Sequence, residues 1–83
     1  MGIDYIRLRN LNTRQLVRAL QQDGFLLKRQ KGSHRLYKHS DGRQITVSFH
    51  HLADIFPPKT LKSMIEMQAR WTEKDTQRLG LHD

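Results

Sequence analysis

Residues 25–49, FLLKRQKGSHRLYKHSDGRQITVSF, decide the fold. Phe25 to Gln30 alternates loosely between apolar and polar, Lys31-Gly32-Ser33 breaks the run, and His34 to His39 resumes an extended pattern. Ser40-Asp41-Gly42-Arg43 then turns the chain back into Gln44-Ile45-Thr46-Val47-Ser48-Phe49. The reading is a three-stranded antiparallel meander. In its third strand Ile45, Val47 and Phe49 share a face with period 2, while Thr46 and Ser48 point the other way. One face of the sheet is therefore covered and the other wet.

Working outward, Asn12 or Thr13 can cap a helix over 13–23, with Gln15 completing a capping box three residues after Asn12 and Asp23-Gly24 as the stop. Leu16, Val17 and Leu20 form its apolar stripe. On the other side Pro57-Pro58 opens a helix over 58–69 with Leu61, Met64 and Ile65 at helical spacing. Thr72, Asp75 and Gly80 mark a short third helix over 73–79. Both stripes read as core that covers the sheet's apolar face. The chain is expected to be one α+β domain spanning 1–83, ordered α-β-β-β-α with a helical tail and no repeat or linker.

At 83 residues and 9.9 kDa there is room for one core only. A composition 36% hydrophobic and 28% charged, with mean hydropathy −0.75, fits a lean globular domain rather than a disordered tail. The absence of cysteine excludes a disulfide framework and a thiolate metal site, and favours a cytoplasmic setting. MGIDYIRLRN lacks a signal peptide's apolar run, and the longest apolar stretch, Phe25-Leu26-Leu27, is far short of the roughly 20 residues of a membrane span. A soluble protein with no membrane partner is expected.

The charge is more telling. Fifteen Lys and Arg against eight Asp and Glu give +7 and an isoelectric point near 10.4. Residues 1–43 hold ten of the basic residues and three acids, whereas 44–83 hold five of each. All of the net charge lies in the first half, which points first to nucleic acid and second to an acidic protein.

Within that half, Gln30-Lys31-Gly32-Ser33-His34-Arg35 places a histidine at the start of a strand, beside a tight turn and among cations. Arg29, Lys31, Arg35 and Lys38, with the Gly32-Ser33 turn, are candidates to hold phosphate, and His34 is the candidate general base or acid. RNA cleavage through its own 2′-hydroxyl needs one proton taken and one given, and cations to stabilise the charge that builds on phosphorus. A general base must be neutral when it acts, so activity is expected to fall at acidic pH. The second proton-transfer group is open among His39, Lys38 and Tyr37.

Other residues have plainer readings. His39 caps a hairpin, Arg14 and Arg18 are a solvated helix face, Tyr37 and Phe49 are core rather than base-stacking platforms, and Trp71 is a packing anchor. Adjacent His50 and His51 point to opposite faces of a regular strand and cannot share a metal there, and His82 belongs to the terminus. No metal or other cofactor is expected.

The chain resembles the HicA toxin family, the small mRNA interferases of bacterial toxin–antitoxin systems. The likeness is carried by Leu16–Leu20, Asp23-Gly24-Phe25, Arg29-Gln30-Lys31-Gly32-Ser33-His34, Asp41-Gly42-Arg43 with Ile45-Thr46-Val47, and Thr60-Leu61-Lys62-Ser63-Met64-Ile65. It implies a fold like that of double-stranded-RNA-binding domains, with both helices on one face of the sheet. It also implies a metal-independent endoribonuclease that cuts mRNA, with His34 catalytic and Gly32 and Ser33 shaping its turn. The implied partner is a HicB antitoxin whose acidic surface covers the active site.

Two other classes of function fit the same residues. A non-catalytic RNA-binding module would dock by shape and phosphate contacts and would shift RNA in a gel without shortening it. A module for an acidic protein alone would lose RNA affinity near physiological salt. Residues 48–56 and 70–83 carry no role that spacing reveals.

Overall fold

A computed structural model describes residues 2–81; His82 lies outside them. Helix α1 spans Thr13–Gln22 and its capping box is formed at both ends: the Asn12 side chain accepts from the Gln15 amide, and the Gln15 side chain accepts from the Asn12 amide, each at 2.9 Å. Gly24 ends it with φ +102, a conformation that favours glycine.

Strands β1 (Leu26–Lys31), β2 (His34–Lys38) and β3 (Gln44–Ser48) form one antiparallel sheet in the order β1-β2-β3. The loose alternation before the first turn has a cause. Leu27 pairs with Tyr37 and Arg29 with Leu36, so Lys28 is an extra residue that shifts the register. Phe25, expected to begin the strand, instead donates its amide to the Leu20 carbonyl at 2.9 Å and is fully buried in the core.

Tyr37, Ile45 and Val47 occupy one face of the sheet and pack with Leu16, Leu20, Leu61 and Ile65 into a single core that also takes in Phe49. The helices cover β2 and β3 but not β1, every residue of which is exposed. Helix α2 starts at Pro58 as predicted, then widens after Lys62 into a π-helical turn over Ser63–Gln68. Its Gln68 side chain accepts the Thr46 amide at 3.0 Å, which ties the turn to the outer edge of β3. Helix α3 spans Glu73–Arg78 with the Thr72/Asp75 capping box in place. No helix among the described residues is long and apolar enough to cross a membrane.

Of the two segments without a sequence-level role, one braces helix α1 and the other the end of the sheet near Asp23. In the loop after β3, the Asp54 carbonyl accepts the Thr13 amide (2.8 Å) and hydroxyl (3.0 Å), the Leu52 carbonyl accepts the Arg14 amide (3.0 Å), and Ile55 bridges to Asn12. The amides at the start of α1, which no helix can satisfy internally, are thus supplied with acceptors from 52–55. At the other end Asp23 is a hub. Its carboxylate accepts from the Trp71 indole (2.9 Å), from Arg78 (2.9 Å) and from Arg43 (3.1 Å). Burial alone would raise the Asp23 carboxyl, but these donors outweigh it and hold it below the usual carboxylate range. Arg43 also bonds Asp41 (2.7 Å) and the Ala69 carbonyl (2.6 Å), and lies over the Phe25 ring. Asp23-Gly24-Phe25 and Asp41-Gly42-Arg43 therefore meet in one clamp, closed by Trp71, the packing anchor.

Candidate functional site

On the sheet face opposite the core, strand register sets out three rows. Lys31, His34 and Ser48 form the first, Arg29, Leu36 and Thr46 the second, and Leu26, Lys38 and Gln44 the third. Side chains that face each other across an antiparallel pair have Cβ atoms about 5 Å apart. His34 thus stands on the central strand with Lys31 on one side and Ser48 on the other.

The turn that delivers His34 has two residues. Gly32 has φ +59, the left-handed conformation preferred by glycine in the first central position of a hairpin turn, and nothing lies within 4 Å of where a Cβ would be. The demand at this glycine is conformational, not steric. The Ser33 carbonyl accepts the Phe49 amide at 3.1 Å and so fixes the turn to the start of the following loop. His34 is exposed, and no side chain or backbone group among the described residues bonds its ring.

The predicted phosphate ligands divide between the two faces. Lys31, Arg29 and Lys38 share the open face with His34, at increasing distance: Lys38 is four residues along β2, about 13 Å away. Arg35 points the other way. Its guanidinium lies 4.1 Å over the Phe49 ring, and one terminal nitrogen is buried with no hydrogen-bond partner among the described residues. An arginine adjacent to a strand histidine in sequence lies on the opposite face in space.

None of the three residues suggested for the second proton transfer adjoins His34. His39 is held in the clamp: Nε2 lies 2.6 Å from the Asp23 carbonyl, Nδ1 lies 3.1 Å from the Asp41 amide, and the ring meets Phe25 edge-on at 5.1 Å. A proton on Nε2 lets it donate to that carbonyl, and Nδ1 lies 3.1 Å from the Asp41 carboxylate as well as from the Asp41 amide. Tyr37 is buried on the core side, where loss of solvent raises its hydroxyl. Phe49 is buried as well, so neither aromatic offers a stacking surface. His50 and His51 lie in a turn rather than in a strand, with both amides donating to the Asp54 carboxylate.

Sequence reasoning missed Ser48 as His34's neighbour. The signal was available in the pairing of the two hairpins, since a two-residue turn at Gly32-Ser33 and a five-residue loop over 39–43 place Ser48 opposite His34.

A family model described as HicA toxin of bacterial toxin-antitoxin matches residues 13–70, from the first residue of α1 to two residues past the π-helical turn. A search of curated proteins gave no match. The matched span is more than two thirds of the chain and includes all three strands, the Gly32-Ser33-His34 turn and both halves of the Asp23/Arg43 clamp. The chain belongs to the HicA toxin family, and so is a toxin of a bacterial toxin–antitoxin system with an antitoxin as its partner.

Proposed function

We propose that this toxin is a metal-independent endoribonuclease that cuts mRNA at His34 and thereby stops translation and growth. The supporting observation is the exposed, unbonded His34 ring on the open face of the sheet, beside Lys31 and Ser48. Neutral imidazole takes the proton of a ribose 2′-hydroxyl while that oxygen attacks the adjacent phosphorus. The bond from phosphorus to the 5′-oxygen breaks, leaving a 2′,3′-cyclic phosphate and a 5′-hydroxyl. Lys31 stabilises the negative charge on the non-bridging oxygens, and Arg29 and Lys38 hold neighbouring phosphates. Solvent protonates the leaving oxygen at this open surface. The antitoxin is of the HicB type, and its acidic surface covers the same cationic face.

The test incubates wild-type and His34→Ala protein with a long single-stranded RNA in EDTA and resolves the products on a denaturing gel. Cleavage by the wild type alone is expected, with the variant melting at the same temperature. Full cleavage or full toxicity of His34→Ala would remove the histidine from the chemistry. Intact RNA in both lanes, with a retained gel shift, would make the protein a non-catalytic RNA-binding module.

A further inference from the structure

Next to His34, on the side away from Lys31, a groove of about 370 Å3 runs between β3 and the helix that begins at Pro58. One wall carries Thr46 and Ser48 on the open-face side of β3; the other carries Lys59, Thr60 and Ser63; Phe56 adds aromatic surface. The volume is within the range of small-molecule sites.

We infer that this groove holds the nucleoside on one side of the phosphate cut at His34, and that its hydroxyl groups set which base is accepted; the inference rests on the ribonuclease reading above. Position is the first argument. Ser48 is both the register partner of His34 and a wall of the groove, so a chain lying across the strands passes Lys31, His34 and Ser48 in turn and enters it. Chemistry is the second. Four hydroxyls that can donate and accept suit base edges and a 2′-hydroxyl, whereas a phosphate would call for more than the single cation Lys59. Phe56 offers a ring to a base, a contact that tolerates any base and leaves selection to the hydroxyls. The third argument is rigidity: the Gln68 side chain on the Thr46 amide fastens one wall to the other, so the groove keeps its width.

Bulk placed in the groove tests this. Ser63 and Thr60 are exposed and their side chains bond no described residue, so Ser63→Trp and Thr60→Trp should fold. With a long RNA covering all base contexts, wild-type cuts are expected to favour one base beside the scissile bond. In both variants cutting at those sites should slow at least tenfold, with an unchanged melting temperature. Wild-type cleavage together with unchanged sites and rates in both variants would overturn the inference and leave the ribonuclease reading intact. A second readout does not depend on cleavage. In isotope-labelled His34→Ala, each of the four nucleoside 3′-monophosphates is titrated and backbone amide shifts are followed. Shifts at Thr46, Ser48 and Ser63, with one base tighter than the others by about tenfold and the effect lost on adding Ser63→Trp, are expected. No shifts, or shifts confined to residues 29–35, would overturn it.

Discussion

Strand β2 begins at His34 and is followed directly by His39, each beside a glycine-containing turn, yet the two rings live under opposite conditions. His34 is exposed on the open face, with Lys31 beside it and no bond to its ring among the described residues. His39 has both nitrogens within hydrogen-bond distance of the backbone and its ring against Phe25. The difference lies in what surrounds each turn rather than in the turn itself. Asp23, Gly24, Asp41 and Arg43 converge on the His39 end, whereas only Lys31 and Ser48 flank His34 across the strands. A histidine tied at both nitrogens positions backbone; one with both nitrogens free can move protons.

The sharpest way to break this contrast is to truncate each ring in turn. His34→Ala is expected to lower RNA cleavage by a factor of about 10²–10⁴, the usual worth of general acid–base catalysis, with stability changed by less than about 0.5 kcal/mol as for an exposed site. An RNA gel and a thermal melt on the same sample check both halves. Toxicity that survives in His34→Ala would place the chemistry elsewhere.

The tied end should fail by unfolding instead. Asp23→Ala removes the acceptor of the Trp71 indole and one of the three acceptors of the partly buried Arg43, and is expected to cost about 3 kcal/mol. The pH dependence follows from the lowered Asp23 carboxyl. A carboxyl depressed in the folded state contributes stability that is present above its unfolded value, about pH 4, and lost as the pH falls through the folded value. Melting temperature should therefore drop below about pH 4 in the wild type and drop less in Asp23→Ala. Equal acid sensitivity in both proteins would show that the clamp is not the acid-labile element. His39→Ala should cost less, about 2 kcal/mol, because the Asp23 carbonyl and the Asp41 amide can turn to solvent. Cleavage per folded molecule should survive in both, measured at a temperature where each variant is still native.

Much of this was open to reading because the signals are local. Two capping boxes, Asn12/Gln15 and Thr72/Asp75, and the period-2 run Ile45, Val47, Phe49 each occupy a few residues and appear in the structure as predicted. The β1 strand was harder, since the Lys28 bulge shifts its register and no residue in it is buried. The loop over 52–55 acts through main-chain carbonyls, which leave no mark on side-chain choice. Asp23 gathers partners 20, 48 and 55 residues away, a convergence no spacing rule contains. For the candidate site, the turn at Gly32-Ser33 is enough to set Lys31 beside His34, whereas adjacency in sequence groups Arg35 with them. Strand parity with Tyr37 assigns it to the core side, where it is found.

The smallest expected effect sharpens the contrast by strengthening one end alone. Arg70 has φ +58, the single positive value at a non-glycine residue among those described, and it follows the Ala69 carbonyl that Arg43 bonds and precedes Trp71. The Trp71 amide reaches back to the Ile65 carbonyl at 2.8 Å, one residue wider than the usual 6→1 closure of a helix end, as fits the π-helical turn before it, and Arg70 stands at the left-handed position that glycine usually takes. A side chain there costs about 1–2 kcal/mol of conformational energy, part of which glycine returns as extra freedom in the unfolded chain. Arg70→Gly should thus raise stability by about 0.5–1 kcal/mol, a few degrees in melting temperature for a domain of this size. Because Arg70 lies between Ala69 and Trp71 in sequence and in no strand of the sheet, cleavage at His34 should be unchanged. A gain in stability accompanied by altered cleavage would mean that the two ends of β2 are coupled through the strand, and that the tied histidine governs the free one.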